Sequence, residues 1–164
     1  MKIEPAQPSR VASLHLHPAE PGAPLQAVEL IQLVEAKGIE GDQRYYDRRS
    51  RETSQPSRRQ VSLMEREQID EHASGLGLAG IPPGAVRANI ETVGIDLVAL
   101  VGCEIQIGEA ILFLNAPRDP CAKMDAICNG LRERMLHARQ GAMAEVRRSG
   151  QVRVGDPIRL RPRL

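Results

Sequence analysis

The chain is organised around residues 110–121, Ala-Ile-Leu-Phe-Leu-Asn-Ala-Pro-Arg-Asp-Pro-Cys. An apolar run of the kind found in buried strands is followed there by two prolines three positions apart. Proline lacks a backbone N–H and disfavours helical backbone in the residue before it, so the strand must end at this point. The sequence therefore predicts a rigid turn that presents a guanidinium, a carboxylate and a thiol at the end of a buried element.

Cys121 is the candidate reactive residue of this turn. A cysteine in such a position can also be a small buried hydrophobe that only packs against the core. Arg118 and Lys123 lie three and two positions away, and positive charge favours the thiolate, which is the nucleophilic and metal-binding form of cysteine. We therefore predict that Cys121 carries the chemistry of the protein.

Short strands separated by Gly and Pro turns dominate the rest of the chain. Residues 104–107 alternate between polar and apolar, and Gly108 and Glu109 fit a type II′ turn, so a hairpin is predicted to lead into the cysteine turn. Further extended segments are predicted at residues 10–17, 27–36, 60–64, 86–90, 143–146, 151–154 and 158–160, and helices at 65–75 and 131–139. This pattern predicts a mainly β fold, a β-barrel with a few short α-helices rather than alternating βαβ units.

Composition narrows the class of protein. A length of 164 residues with 41% hydrophobic content suits a single domain. Few aromatic residues and a net charge of +1 argue against nucleic-acid binding. Three cysteines without a CxxC motif argue against a disulfide framework. Residues 1–5 do not begin the apolar segment of a secretory signal peptide. No apolar run reaches the ~18 residues that a membrane span requires. We expect a cytoplasmic protein that does not bind membranes.

Several polar residues have both a structural and a ligand-binding interpretation. If residues 86–90 are extended, Arg87 and Asn89 point the same way, which suits either a polar cleft or a wet outer face. Ser62 and Glu65 have the spacing of a helix capping box, although Ser62 can also face a ligand. His15 and His17, on one face of a predicted strand, have no evident third metal ligand and are interpreted as a solvated pair.

Residues 44–59 form the most polar segment of the chain. Six arginines stand against one aspartate and one glutamate, with Ser, Thr, Gln and Pro between them. Such a composition cannot bury a core and predicts a flexible loop. It is either a disordered insertion or an arginine-bearing lid over an anionic ligand.

Six blocks in the right order resemble the MOSC family, the domain found at the C-terminus of molybdenum-cofactor sulfurases. The blocks are residues 38–42 (GIEGD), 59–63 (RQVSL), 87–92 (RANIET), 94–97 (GIDL), 117–121 (PRDPC) and 150–158 (GQVRVGDPI). The resemblance covers nearly the whole chain. It implies a single MOSC domain over residues 1–164, with a barrel-like, Greek-key-like fold of mixed strands and a cleft for molybdenum cofactor beside Cys121.

Members of this family differ in activity. In the sulfurases a MOSC domain receives sulfur from a separate pyridoxal-phosphate domain, whereas in reductases of N-hydroxylated compounds the cysteine ligates molybdenum. The resemblance implies that Cys121 ligates molybdenum and that the protein reduces N-hydroxylated substrates. The alternatives are a persulfide carrier and a non-catalytic module whose Arg-rich loop binds an anionic partner. Without a pyridoxal-phosphate, iron–sulfur or flavin domain, the chain would need a separate cysteine desulfurase or electron-donor protein.

The site residues that the resemblance implies suit the binding of molybdenum cofactor or of a sulfane sulfur. A soft thiolate matches a molybdenum centre or a sulfane sulfur. The pterin cofactor, molybdopterin, ends in a phosphate that arginine binds with paired hydrogen bonds, and a nearby lysine adds positive charge. Asn89 and Ser62 would contact the ring system, and Cys103 and Cys128 are interpreted as structural. The expected cofactor-binding residues are Arg59, Ser62, Arg87, Asn89, Arg118 and Lys123.

Overall fold

The computed structural model describes residues 8–162, so the N-terminal residues 1–5 discussed above lie outside it. Within the described residues the chain forms eleven strands and three α-helices. They are β1 (Arg10–Leu16), β2 (Gln26–Val28), β3 (Leu30–Val34), β4 (Gly38–Ile39), β5 (Val61–Glu65), α1 (Arg66–Gly75), β6 (Ile90–Val93), β7 (Glu104–Ile107), β8 (Ala110–Pro117), α2 (Lys123–Ile127), α3 (Leu131–Met135), β9 (Ala142–Arg148), β10 (Gly150–Arg153) and β11 (Ile158–Leu160).

The strands form two sheets. The larger sheet has the order β11-β7-β8-β9-β5-β6-β1-β2, and the smaller one has the order β10-β3-β4. This confirms the mainly β class. A bridge between Arg10 and Pro157 brings β1 near the start of β11, yet no closed barrel is found among residues 8–162. The barrel therefore stays a prediction.

One strand pair departs from the antiparallel pattern. β5 and β6 are parallel, with Leu63 opposite Ile90, and α1 lies between them in sequence. A parallel pair requires a crossover connection, which a tight turn cannot supply. This is one βαβ unit in a fold whose other strand pairs are antiparallel within residues 8–162, so the chain is not built from alternating βαβ units, as predicted.

β5 lies at the centre of the packing and is buried along its whole length. Leu63 belongs to a core shared by the two sheets, which contains Leu33, Leu112 and Val152. Met64, on the opposite face, belongs to a second core formed with the helices. Because side chains alternate along a strand, β5 separates two apolar layers. Within residues 8–162 no helix is long and apolar enough to cross a bilayer.

The local predictions hold best at the hairpin. β7 and β8 pair as predicted, with Glu104 opposite Phe113, and the turn carries Gly108 at φ +59°. Positive φ at the first central position is what a type II′ turn requires. β8 ends at Pro117, as the two prolines predict.

Other local predictions are wrong. Glu65 is the N-cap of α1 but makes no side-chain cap hydrogen bond, so Ser62 and Glu65 form no capping box. Residues 86–90 are not a strand, because Arg87 has φ +65° and β6 begins only at Ile90. The predicted helix at 131–139 ends at Met135, since two residues beyond it have left-handed backbone, and α2 is an additional helix.

His15, in β1, and His17, directly after β1, are buried, whereas the sequence predicted a solvated pair. His15 is 1% exposed and His17 is 3% exposed.

Residues 44–59 form consecutive turns with one bridge, between Arg49 and Pro56, and their side chains are mostly exposed. Whether this segment acts as a lid remains a hypothesis.

Candidate functional site

Three strand ends meet at one cleft. β1 ends next to His17, β6 begins shortly after Arg87, and the antiparallel register Leu14 to Ile90 places these two ends side by side. β8 ends at the turn that carries Arg118 and Cys121. A side-chain hydrogen bond from Arg118 Nη2 to the Val86 carbonyl oxygen, 3.3 Å long, ties that turn to the segment before β6.

The cleft brings together most of the predicted site residues. It has a volume of about 510 Å³ and is open to solvent. Its lining contains five of the seven predicted residues, which are Arg59, Arg87, Arg118, Cys121 and Lys123. The remaining lining residues are His17, Arg44, Tyr45, Asp119, Met124 and Gln140. Five basic side chains therefore converge on one exposed thiol.

Arg118 is the most unusual of these cations. It is 8% exposed, and its guanidinium donates only long hydrogen bonds, 3.4 Å to the Gln140 carbonyl oxygen and 3.3 Å to that of Val86. Among the described residues it forms no ion pair with a carboxylate. Burial lowers the pKa of Arg118 to about 10. A buried charge without a counter-ion is unfavourable, so the cleft favours an anionic occupant.

Cys121 lies exposed at the mouth of this charge cluster. A negative charge on Cys121 would oppose the lowering by burial of the pKa of both Arg87 and Arg118. The geometry thus joins an anion-binding surface to a thiol that partners and small molecules can reach.

A histidine–aspartate pair closes one wall. His17 Nδ1 lies 2.8 Å from Asp42 Oδ2, and both side chains are buried. Asp42 also accepts backbone hydrogen bonds from His17, Arg44 and Tyr45. Burial by itself would raise the pKa of Asp42, but the hydrogen bonds from His17 and Tyr45 outweigh it and lower the pKa to about 2. Asp42 is therefore an ionised anchor at neutral pH.

Ser62 and Asn89 lie behind that wall and not on the surface of the cleft. Both are fully buried. Asn89 Nδ2 donates to Asp42 Oδ2 at 2.8 Å, and its Oδ1 accepts hydrogen bonds from the backbone N–H and the hydroxyl of Ser62. In this arrangement the two residues hold Asp42 in place, whereas the sequence had suggested contact with a ring system.

A second cavity adjoins the first. It shares His17, Arg44 and Arg87 with the cysteine cleft and has a volume of about 510 Å³. Its other wall consists of the turn after β1, Gln43, and Arg48 of the Arg-rich segment. The two cavities adjoin at the three shared residues and are together called the groove.

Sequence reasoning missed three contributors to this groove. His17 and Asp42 are 25 positions apart, and Tyr45 packs its ring edge-on against His17 with centroids 5.2 Å apart. The signal for Asp42 was present in the block Gly41-Asp42, which was used for the resemblance alone. Nothing local distinguished His17 from the neighbouring His15, whose Nδ1 contacts the Ala88 carbonyl oxygen.

Comparisons with known proteins agree with this architecture. The YUAD protein from Bacillus subtilis has a similar fold, with a TM-score of 0.77 at 22% identity over 95% of this chain and 97% of that one. YiiM from Geobacillus stearothermophilus gives a TM-score of 0.70 at 16% identity, covering 95% of this chain and 76% of that one. For YiiM from Escherichia coli the TM-score is 0.67 at 21% identity, over 94% and 71% of the two chains.

Comparison with curated protein sequences gives no match. The family model of the MOSC domain matches residues 38–159, which include every predicted site residue. The chain therefore belongs to the MOSC domain family.

Proposed function

We propose that this protein binds molybdenum cofactor in the cysteine cleft and uses it to reduce N-hydroxylated substrates, with Cys121 as the protein ligand of molybdenum. The observation that carries the proposal is the buried, unpaired guanidinium of Arg118 in the same cleft as an exposed thiol. Membership of the MOSC domain family supports the choice of cofactor.

The residues present fit such a cofactor. A thiolate is the soft donor that molybdenum favours among protein ligands. Arg59, Arg87 and Arg118 supply forked donors for a phosphate, and Lys123 adds a point charge at the same wall. Burial makes the Arg118 contact the strongest of these, because an anion there removes an existing electrostatic penalty.

Each part of the cleft then has a role. When bound, the cofactor supplies the redox centre that passes two electrons to the substrate. The balanced reaction breaks one N–O bond, consumes two electrons and two protons, and releases water. The electrons come from a separate electron-donor protein, and the mostly exposed arginines of residues 44–59 offer that partner a basic surface.

A persulfide carrier is the second candidate, favoured by the exposure of Cys121. A thiol that projects into solvent is accessible to the active site of a cysteine desulfurase, which would transfer a sulfane sulfur to it. Arg87 and Arg118 line the same cleft and would stabilise the resulting persulfide anion.

The deciding experiment measures metal in protein purified anaerobically from a host that makes molybdenum cofactor. We expect about one molybdenum and one pterin per chain, lost in Cys121→Ser and retained in the matched control Cys128→Ser. Absence of both molybdenum and pterin from the wild type overturns the proposal. A reducible mass gain of one sulfur atom on Cys121 in that case supports the carrier.

A further inference from the structure

A histidine held in one tautomer faces the groove. Asp42 is an ionised carboxylate and can only accept hydrogen bonds, so the 2.8 Å contact requires His17 Nδ1 to donate. The other tautomer would set two lone pairs against each other at that distance. Asn89 Nδ2 is also near Nδ1, but at 3.3 Å the contact is longer. The neutral ring therefore carries its proton on Nδ1 and a lone pair on Nε2.

The ring has little freedom to turn. Asp42 is itself fixed by the Asn89 amide and by the backbone N–H groups of Arg44 and Tyr45. The Tyr45 ring meets the imidazole edge-on at an interplanar angle of 85°. Among residues 8–162 no side chain or backbone group hydrogen-bonds to Nε2, although His17 lines both halves of the groove.

We propose that His17 is the proton acceptor and donor of this groove, with Asp42 as its positioning residue. The proposal uses the cleft of the proposed function but does not depend on the cofactor. An anion that enters the groove next to Nε2 favours the imidazolium, so the ring takes one proton from solvent and its Nε2–H donates a hydrogen bond to the anion. When the anion leaves, the proton returns to solvent.

The surrounding charges produce this coupling. When the groove holds no anion, the basic side chains that line it oppose the imidazolium of His17. These side chains are Arg44 and Arg87, which line both cavities, Arg48 in the adjoining cavity, and Arg59, Arg118 and Lys123 in the cysteine cleft. Carboxylates favour the imidazolium; they are Asp42, Glu20 in the adjoining cavity and Asp119 in the cysteine cleft. A bound anion neutralises the cations, and protonation of Nε2 then becomes favourable.

The same proton serves N–O reduction. As the N–O bond of the substrate breaks with two electrons from the reducing partner, His17 Nε2–H transfers its proton to the leaving oxygen, which departs as water. The nitrogen takes the second proton from solvent. His17 ends neutral and is reprotonated from solvent, so the cycle is balanced.

The first test is the tautomer of His17 in the cofactor-free protein. Nitrogen-15 NMR of the imidazole rings distinguishes the two neutral forms, and the chain has only four histidines to assign. His17→Gln identifies the signal. We expect the Nδ1–H form in the wild type and a loss of this preference in Asp42→Asn. An Nε2–H form in the wild type overturns the proposal.

The second test is proton uptake on binding sulfate, an anion whose own charge stays constant in this pH range. Calorimetry at pH 7.5 in buffers of different ionisation enthalpy should show a net uptake of protons when sulfate binds. We expect His17→Gln to abolish the uptake and His137→Gln, an exposed histidine outside the groove, to retain it. Unchanged uptake in His17→Gln overturns the proposal.

The two proposals fail in different ways. If sulfate does not bind, the anion-binding cleft of the proposed function is in error, and the NMR tautomer alone decides the role of His17. If molybdenum is absent but the tautomer and the proton uptake are as expected, the acid–base role stands without the cofactor.

Discussion

The imidazole of His17 and the carboxylate of Asp42 meet at 2.8 Å in the wall of the cleft, although 25 positions separate them in the chain. The contact joins the end of β1 to the loop that follows β4. Both side chains are buried, so the pair is shielded from the solvent that weakens surface ion pairs. It fixes the shape of the cleft as well as the orientation of the histidine.

Stability should depend on pH through Asp42. Its pKa in the folded protein is about 2, below the ordinary value of 3.8, so its ionised form stabilises the fold. The contribution of Asp42 to the free energy of unfolding is roughly 2 kcal/mol; it is complete above about pH 5 and is lost as the pH falls towards 2. Urea unfolding at several pH values measures this contribution. Asp42→Asn should flatten the dependence of the free energy of unfolding on pH between 5 and 2, whereas the exposed control Asp47→Asn should leave that dependence unchanged. An unaltered profile in Asp42→Asn would contradict the assignment.

Arg118→Met should separate stability from binding. The substitution removes a buried charge that has no carboxylate partner, which stabilises the fold. It also removes two long hydrogen bonds, which destabilises the fold. Because these effects oppose each other, the free energy of unfolding should change by no more than about 1 kcal/mol. Sulfate affinity should fall by about tenfold or more. Thermal unfolding and calorimetry measure the two quantities. Arg132→Met, at an exposed position outside the cleft, is the control; equal affinity loss in both variants would argue against a specific role for Arg118.

Glu91 and Asp70 offer a matched comparison around one arginine. Arg66 contacts the fully buried Glu91 and the exposed Asp70, each at 2.9 Å. Glu91→Ala removes the buried partner of Arg66 Nη1 and leaves the Gly84 N–H, which donates to Glu91, without its acceptor, so we expect a loss of about 3 kcal/mol. Asp70→Ala should lose less than about 1 kcal/mol. Similar losses in chemical unfolding would show that burial does not set the difference.

Two glycines with the same backbone angle should respond differently to alanine. Gly141 and Gly77 both have φ +72°. An added Cβ would overlap the Leu63 carbonyl oxygen at Gly141 and meet nothing at Gly77. Gly77→Ala should therefore cost about 1 kcal/mol from left-handed strain alone. Gly141→Ala should destabilise by several times as much, or leave no folded protein; equal melting temperatures would contradict the packing of β5 against this turn.

Cys121 should be the first thiol to react with iodoacetamide. It is exposed, whereas Cys103 and Cys128 are partly buried. Peptide mass mapping at short times should show modification of Cys121 first, because its side chain is the most accessible of the three thiols. Preferential labelling of Cys128 would refute this order.

Local sequence patterns were sufficient for the hairpin and for the end of the strand before Cys121. The β7–β8 hairpin depends on alternation and on one glycine with positive φ, and Pro117 ends β8 by its own backbone chemistry. These are short-range constraints, which act between consecutive residues. Arg118 and Lys123 lie within three positions of Cys121 in the sequence, whereas Arg59 and Arg87 were expected at the same cleft from the family resemblance.

Predictions that depended on the partner of a side chain were less successful. Ser62 has capping-box spacing with Glu65, but its hydroxyl bonds Asn89, 27 positions away, because the parallel pairing of β5 and β6 places the two residues side by side. His15 and His17 look alike in the sequence. Only the loop after β4 supplies Asp42 to one of them.

The sequence by itself determined the strand-rich class and the family, because alternation, turn residues and ordered motifs act over a few positions. The tertiary structure decided which cation is buried without a counter-ion and which histidine faces the groove. Burial and hydrogen-bond partners arise from strand ends that are distant in the chain and adjacent in the fold, and no local pattern encodes that adjacency.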